Sequence, residues 1–446
     1  MSTHTLKEPE GIPSIAIIGS GPAGCYCAQF ARKQWPTAEI TVFEQLPTPY
    51  GLIRYGVAPD HQGTKTVIRQ FERLFEREEV EFVGNVCVGR DLDFGDVAHA
   101  FDIVIDATGL PYDRKLDISV DEGCAVLGAG EMIQRLNGHP HHLASPGIAL
   151  GPRIAVIGNG NVALDAVRLL CSGEADFEGS DVDDQALQRL RSATTTQIEV
   201  LGRSLAPQAK FDLAMLREVA ARSGARVTAR GLRVGDDDAR TRCLTQLASA
   251  TARGEQIEPG AGRVDVTFRF GVRPTAICHT DRGTEVHAID HAGNPTETVC
   301  VDSVVTAIGF CREEVGRDAP ADADWRGGNV FRVGWAAGHG GAIPVHRREA
   351  RALVQEVARA VGDGSIALGC AGRAELRART AERAVRFEDW RRLDAYELAT
   401  TGRGRCRRKV TDLAEMVAIA KHGSAGVGVP SETHRRIRRA EVTAGR

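Results

Sequence analysis

The 446-residue sequence lacks the features of a membrane or secreted protein. No stretch approaches the roughly 20 apolar residues that a membrane-spanning helix needs, and Met1 to Gly11 contains no apolar core of the kind that a signal peptide carries. The net charge of −3 gives no general attraction to nucleic acid or to anionic membranes. We therefore predict a cytoplasmic globular protein with no nucleic-acid partner and no membrane insertion. Its length predicts roughly two or three domains.

Cysteine pairs of the CxxC type are also missing, although the chain has eleven cysteines. The nearest arrangement is the CxC formed by Cys25 and Cys27 beside a glycine-rich loop. These two thiols could form a redox dithiol, or they could be small side chains of a buried helix, and we favour the second interpretation. No metal site is predicted.

The first informative feature that is present is a strand, a glycine loop and a helix in succession. Ser14 to Ile18 predicts a buried strand, GSGPAG follows from Gly19 to Gly24, and a helical stretch continues to Lys33. In such a loop the first glycine permits a tight turn, the second lets backbone approach a pyrophosphate, and the third lets helix and strand pack closely. A second strand, Ile40 to Glu44, ends in a carboxylate where an acid should meet a ribose. We predict a dinucleotide site at this loop.

The same pattern recurs in the middle of the chain. Arg153 to Ile157 predicts a strand, Gly158 to Ala163 a loop whose third glycine is replaced by alanine, and Val162 to Leu170 a helix. The next strand, Gln197 to Leu201, leads to Arg203 instead of an acid. An arginine can pair with the 2′-phosphate of NADPH, which a carboxylate would repel. The two loops therefore predict two different nucleotides, FAD at the first and NAD(P)H at the second.

Two further segments suggest where the chain passes between domains. Phe101 to Gly109 and Val301 to Gly309 each predict a buried strand that ends in a glycine, where chain and cofactor must come close. The predicted fold is α/β, with two Rossmann-type dinucleotide-binding domains and the second inserted in the first. We expect the FAD-binding domain to comprise residues 1–115 and 325–446, and the NAD(P)H-binding domain residues 116–324.

Several motifs in order resemble one family. The run PTPYGLIRYGVAPDH from Pro47 to His61 is similar to a stretch of the adrenodoxin-reductase type of ferredoxin–NADP reductase, including its actinobacterial members. Gly84 to Gly89, Gly158 to Asp165, Leu216 to Glu218 and Val333 to Trp335 match the same family in the same order. The resemblance covers nearly the whole chain.

The resemblance implies a fold like that of glutathione reductase without its active disulfide, which agrees with the missing CxxC. It also implies electron transfer from NADPH through FAD to a small iron–sulfur protein. His61 and Glu218 are the candidate catalytic residues, because the resemblance places them as a polar pair beside flavin and nicotinamide. Such a pair could orient a ring or relay a proton, or it could simply shape the wall of the site.

The resemblance and the loops together predict the following cofactor contacts. The residues predicted to hold FAD are Gly19, Gly21, Pro22, Ala23, Gly24, Glu44, Gln45, Gly51, Leu52, His61, Val88, Gly109, Trp335, Gly341, Ala342 and Ile343. The residues predicted to hold the nicotinamide cofactor are Arg114, Gly158, Asn159, Gly160, Asn161, Val162, Ala163, Leu164 and Arg203.

The chain departs from the family at three places. Arg203 is followed by Ser204, where the family usually has a second arginine for the 2′-phosphate, and Met215 replaces a glutamate that contacts the nucleotide. The loop from Trp335 to Gly341 is one residue shorter than usual and lacks the family's lysine–arginine pair. We therefore expect a weakened preference for NADPH, with NADH as an alternative donor.

Three functions remain open from the sequence. The first is a reductase that feeds a ferredoxin-like iron–sulfur protein, which arginines in the segments 373–392 and 402–409 would attract by charge. The second is a biosynthetic NAD(P)H-dependent flavoenzyme with a small organic substrate, which the altered loop after Trp335 favours. The third is a nucleotide-sensing scaffold without activity, which the retained His61, Glu218 and both glycine loops argue against.

Overall fold

The computed structural model describes residues 11–143, 147, 149–191, 194–222, 225–232, 238–252, 264–312, 328–338 and 340–423. These residues form two compact units. The first comprises residues 1–57, 61–111 and 312–446, and the second comprises residues 58–60 and 112–311. No helix among the described residues is both long enough and apolar enough to cross a bilayer.

The strands and helices alternate along most of the chain. The strands are β1 (Ser14–Ile18), β2 (Glu39–Phe43), β3 (Glu81–Val83), β4 (Ile103–Asp106), β5 (Tyr112–Asp113), β6 (Ser119–Val120), β7 (Ala125–Gly128), β8 (Arg153–Ile157), β9 (Gln197–Gly202), β10 (Ala225–Arg230), β11 (Val264–Phe270), β12 (Val272–Thr280), β13 (Gly283–Asp290), β14 (Val299–Val301), β15 (Ser303–Thr306), β16 (Phe310–Cys311) and β17 (Val330–Arg332). The α-helices are α1 (Pro22–Gln34), α2 (Leu52–Tyr55), α3 (Gln62–Lys65), α4 (Ile68–Glu76), α5 (Phe94–Ala100), α6 (Ala129–Leu136), α7 (Pro140–Leu143), α8 (Asn161–Cys171), α9 (Asp184–Leu190), α10 (Leu213–Ala220), α11 (Ala239–Ala252), α12 (Ile343–Gly362), α13 (Arg373–Thr380), α14 (Phe387–Ala399) and α15 (Leu413–His422). Short 3₁₀ helices cover Ala175–Phe177, Ala206–Gln208 and Gly334–Ala337.

The first unit is built on a parallel sheet with the strand order β17-β4-β1-β2-β3. Every residue of β1 is buried, as expected for a central strand covered on both faces. Ile15 and Ile17 pack into a core with residues of α1 and α12. Ala16 and Ile18 pack on the opposite face, in a core that includes residues of α5. The sheet is thus the middle layer of an α/β sandwich.

The second unit contains a larger parallel sheet with the order β10-β11-β9-β8-β15-β7. A separate sheet with the order β14-β13-β12-β6 contains the antiparallel hairpin of β12 and β13. The chain enters this unit at β5 and leaves it at β16, and these two short strands pair with each other. The two parallel sheets with their helices confirm the predicted α/β class.

Cys25 and Cys27 both lie on α1 with fully buried side chains. Burial raises the pKa of both thiols above the ordinary value, so both are protonated at neutral pH. A protonated, inaccessible thiol is a poor nucleophile. These two residues are therefore core side chains of the first unit.

Candidate functional site

The first glycine loop connects β1 to α1 in the first unit. Gly19 has φ +105°, and a Cβ added to it would lie 2.5 Å from the carbonyl oxygen of Ala107. A Cβ on Gly24 would lie 2.0 Å from the carbonyl oxygen of Gly19, whereas nothing lies within 4 Å of one on Gly21. The outer two glycines are therefore required for packing, and Gly21 leaves open space beside the backbone. No side chain caps α1, so its first N–H groups remain available for an anion.

Glu44 follows the end of β2 and is held beside this loop. Its carboxylate accepts hydrogen bonds from the N–H of Ser20 (3.1 Å), the hydroxyl of Ser20 (2.6 Å) and the N–H of Leu46 (3.1 Å). Burial raises the pKa of Glu44, and these hydrogen bonds partly oppose the increase. Each carboxylate oxygen keeps further acceptor capacity, so the group can also receive ribose hydroxyls.

The segment from Tyr50 to Tyr55 lies against the same glycine loop. Tyr50 and Gly51 have φ values of +81° and +46°, the left-handed region that a bulky residue such as tyrosine rarely adopts. The N–H of Tyr50 donates to the hydroxyl of Ser20 at 3.2 Å. A Cβ on Gly51 would lie 3.0 Å from the Cα of Gly21. Leu52, a predicted FAD contact, is the first residue of α2 directly after this turn.

Other predicted FAD residues lie elsewhere in the first unit. Val88 is buried in the core, and Gln45 is exposed. Gly109 has φ +75° with open space beside it. His61 is half-buried and precedes α3, where its carbonyl oxygen accepts a hydrogen bond from the N–H of Thr64 at 3.1 Å.

The remaining predicted FAD residues surround the start of α12. Trp335 lies in the 3₁₀ helix Gly334–Ala337, and Gly341 and Ala342 lead directly into the helix at Ile343. This helix also begins without a side-chain cap. Pro344 has no N–H, and the N–H of Val345 donates to the carbonyl oxygen of Ala342 at 2.8 Å, so this helix start offers the N–H of Ile343. His339, within the loop that departs from the family, lies outside the described residues.

The second glycine loop connects β8 to α8 in the second unit. Gly158 has φ +125°, and a Cβ added to it would lie 2.2 Å from the carbonyl oxygen of Ala307. Nothing lies within 4 Å of a Cβ on Gly160. Ala163 is buried against the core, and α8 starts without a side-chain cap. This loop shares three features with the first loop: a glycine that packing requires, an open glycine position and an uncapped helix N-terminus.

The segment after β9 carries Arg203. Its side chain is exposed, and it forms no hydrogen bond or ion pair with the residues that the structure describes. Ser204 beside it is tied to the glycine loop, because the amide nitrogen of Asn159 lies 3.1 Å from its hydroxyl oxygen. Ser204 thus occupies the position where the family usually has a second arginine, and its side chain contacts the glycine loop. Arg114, also predicted to contact the nucleotide, is exposed, and its N–H donates to the carbonyl oxygen of Gly309 at 2.9 Å.

A cluster of charged side chains in the second unit was not identified from the sequence. Arg168 on α8 is fully buried, and its guanidinium pairs with Asp60 and, at 2.7 Å, with Asp165. Arg222 also pairs with Asp60, at 2.8 Å. The carboxylate of Glu218 lies 3.6 Å from Nε of Arg168. A lone arginine among the apolar residues of α8 was the signal in the sequence that could have revealed this cluster.

The two candidate catalytic residues belong to different units. His61 belongs to the first unit and Glu218 to the second. Their action as a pair therefore stays a prediction. Glu218 has a defined neighbour in Arg168, and His61 directly follows Asp60 in the chain.

The arginine-rich segments expected to attract a partner are largely neutralised within the first unit. Arg373 and Lys409 are buried, and Arg407 pairs with Asp394 (2.6 Å) and Glu397 (3.0 Å). The expectation of a basic surface is wrong for these three residues, because internal packing and internal carboxylates use their charges. Other arginines of these segments pair with nearby acids; these pairs are Arg379 with Asp96, Arg383 with Asp91, Arg391 with Glu76, and Arg392 with Asp389.

Comparisons with known proteins relate this chain to reductases. Residues 17–72 match the family of NAD(P)-binding Rossmann-like domains. The chain is 40% identical over 436 residues to cindoxin reductase of Citrobacter braakii, covering 94% of this chain and 93% of that protein. It is 30% identical over 450 residues to NADPH-ferredoxin reductase FprA of Mycobacterium tuberculosis, covering 91% of this chain and 98% of that protein. The structure is similar to Mycobacterium tuberculosis FprA in complex with NADPH, with a TM-score of 0.77, 28% identity, and coverage of 92% of this chain and 100% of that one.

Proposed function

This chain belongs to the ferredoxin–NADP reductase family of the adrenodoxin-reductase type and is an oxidoreductase, and from that membership we propose that it carries electrons from NADPH through FAD to a ferredoxin-like iron–sulfur protein. The first unit would hold FAD and the second NADPH. The observation that carries the proposal is the pair of glycine loops, each with an open glycine beside an uncapped helix N-terminus.

The first loop has the shape and chemistry that FAD requires. Open space beside Gly21 admits a pyrophosphate, and the N–H groups at the start of α1 suit its negative charge. The buried Glu44 supplies an acceptor for ribose hydroxyls next to this loop. The N–H of Ile343, the first residue of α12, supports a second contact with the cofactor. When bound, FAD would accept a hydride and release electrons singly.

The second loop suits NADPH. Gly160 leaves room for the pyrophosphate, and the exposed Arg203 is free to pair with a 2′-phosphate. The name of a structural relative, FprA in complex with NADPH, supports the same nucleotide. Ser204 supplies no second charge, so we propose that selectivity against NADH depends mainly on Arg203.

The protein's own side chains would bind, orient and exchange protons. We propose that His61 and Glu218 form a polar pair beside the reacting rings, where they would orient a ring or relay a proton. Arg168 would be the charged neighbour of Glu218 there, with its Nε 3.6 Å from the Glu218 carboxylate. The FAD and nucleotide contacts named from the sequence would align the two cofactors.

We also propose the kind of electron acceptor and the compartment. The names of the relatives, ferredoxin reductase and cindoxin reductase, support a small redox protein as electron acceptor. The eleven cysteines are all free thiols in the structure, which supports a reducing compartment such as the cytoplasm.

Stopped-flow absorbance tests the proposal directly. The purified protein should be yellow, and anaerobic NADPH should bleach the flavin band faster than NADH. Reduction of a ferredoxin should then follow, and it should be faster than reduction by free flavin. Absence of FAD after reconstitution would refute the first-unit assignment. Ferredoxin reduction no faster than that by free flavin would instead favour a small organic acceptor.

A further inference from the structure

We propose that a buried charged cluster formed by Arg54, Glu397, Arg407 and Asp394, here called the Arg54 cluster, is a positioning device for the FAD-binding loop. The inference rests on the proposed function, because it concerns how the first unit holds FAD. It assigns a role to α14 and to Arg407, which lies in the segment 402–409 that the sequence had suggested as part of a basic docking surface.

The centre of the Arg54 cluster is an ion pair in which one guanidinium nitrogen is shared by both oxygens of a carboxylate. Nη2 of Arg54 lies 2.5 and 2.7 Å from the two carboxylate oxygens of Glu397, whose side chain is fully buried. The same carboxylate accepts hydrogen bonds from Arg407 (3.0 Å) and from the N–H of Val410 (3.0 Å). Burial disfavours the charged form of Arg54, but Glu397 outweighs it and raises the pKa of the guanidinium, so the pair stays ionised.

The guanidinium of Arg54 also contacts two aromatic rings, and these contacts attach α2 to its surroundings. The Arg54 guanidinium carbon lies 5.0 Å from the ring centroid of Tyr55 and 4.9 Å from that of Trp390. The hydroxyl of Tyr55 is in turn 3.2 Å from that of Thr48. The short helix α2 is therefore attached through two consecutive residues, Arg54 and Tyr55, to α14 and to the segment that precedes the helix.

The opposite end of α2 joins the strained turn beside the glycine loop. Tyr50 has left-handed φ although it is a bulky residue, and such a conformation persists only where the surroundings hold it in place. Its ring packs edge-on against Trp390, with centroids 6.5 Å apart. One aromatic side chain of α14 thus contacts both the strained Tyr50 and Arg54. The turn at Tyr50 and Gly51 contacts Ser20 and Gly21 on one side. The Arg54 cluster supports the same turn from the other side.

A buried ion pair of this kind is poor evidence for stability alone. Desolvation of both ions offsets much of their attraction, and apolar residues of similar volume often stabilise a fold as well or better. A charged pair whose planar guanidinium also lies near two aromatic rings does supply what apolar packing does not, a defined orientation of one element against another. The cluster therefore orients α2 and the adjoining turn for FAD.

The test compares FAD affinity with fold stability in three variants. Apoprotein is titrated with FAD below the apoprotein melting temperature, and Kd is read from quenching of flavin fluorescence. Arg54→Lys keeps the charge but loses the planar guanidinium that lies near the rings of Tyr55 and Trp390. The double variant with Arg54→Met and Glu397→Leu removes both ions, so no buried charge is left unpaired. Arg379→Ala, which breaks an exposed ion pair with Asp96 in the same unit, is the matched control.

We expect the double variant to raise the Kd for FAD by about tenfold or more, because it removes the charged hydrogen bonds to Glu397. Arg54→Lys should raise the Kd less, because it loses only the planar guanidinium beside the two rings. The apoprotein melting temperature of the double variant should stay near that of the unaltered protein, and the control should change neither value. A melting temperature that falls while the Kd for FAD stays unchanged would overturn the inference and leave a structural role. Unaltered apoprotein that binds no FAD would overturn the proposed function itself, and this inference with it.

Discussion

Replacing Arg203 by alanine should lower the use of NADPH while leaving the use of NADH nearly unchanged. The side chain is exposed and pairs with no residue that the structure describes, so its removal should cost the fold little, within about 0.5 kcal/mol. Any large effect must then come from the nucleotide.

The expected size follows from the single charged contact that Arg203 can supply. A hydrogen bond to a charged group contributes about 1.5–3 kcal/mol, and solvent exposure at this position favours the lower end of that range. A loss of about 1.5 kcal/mol corresponds to roughly a tenfold fall in kcat/KM for NADPH. Because Ser204 carries no charge, no second group in this segment compensates for the loss.

The assay measures kcat/KM for NADPH and for NADH with ferricyanide as acceptor, which keeps the partner protein out of the measurement. NADP⁺ binding to the oxidised protein gives an independent value of affinity. An equal fall for both nucleotides would refute the reasoning, because it would mean that Arg203 contacts a part that the two share. No fall for either would show that the 2′-phosphate is bound elsewhere.

Three further changes should have defined effects. Ser204→Arg should raise the NADPH to NADH ratio of kcat/KM only about fivefold, because the new charged contact is partly offset by the lost hydrogen bond to Asn159. Glu44→Ala should cause loss of FAD on gel filtration, seen as a fall in the flavin-to-protein absorbance ratio, whereas full retention would contradict its role. Asp60→Asn should lower the melting temperature by roughly 5 °C, since Arg168 and Arg222 lose the buried carboxylate that they share while Asp165 still pairs with Arg168; an unchanged melting temperature would show that Asp165 is sufficient.

The elements around both glycine loops could be predicted from local patterns. The strands Ser14–Ile18 and Arg153–Ile157 have the predicted bounds, because a run of four apolar residues directly before a glycine loop has few alternative structures. The helix Asn161–Cys171 begins and ends one residue beyond its predicted bounds. For Val301 to Gly309 the sequence predicts a single strand. The structure instead has two strands, Val299–Val301 and Ser303–Thr306, which belong to different sheets.

The charge pairing could not be predicted, because it depends on residues distant in sequence. Arg54 and Glu397 are 343 positions apart, and nothing local marks either as buried. The arginines near the end of the chain looked like a basic surface because charged residues are usually exposed. Arg407 and Lys409 are exceptions, one matched by internal carboxylates and the other buried with its ammonium 5.7 Å from the ring centroid of Tyr55.

The tripeptide Ala58–Asp60 has a consequence for any attempt to isolate the second unit. A fragment that contains only residues 112–311 would be continuous, but it would lack three residues that the unit includes. Ala58 fills part of its core, the carbonyl oxygen of Pro59 accepts a hydrogen bond from the N–H of Asp181 at 3.3 Å, and Asp60 neutralises Arg168 and Arg222. In such a fragment the buried guanidinium of Arg168 would lack the carboxylate of Asp60. Domain dissection of this protein therefore requires replacing Arg168 with an apolar residue, or supplying the missing carboxylate from a grafted segment.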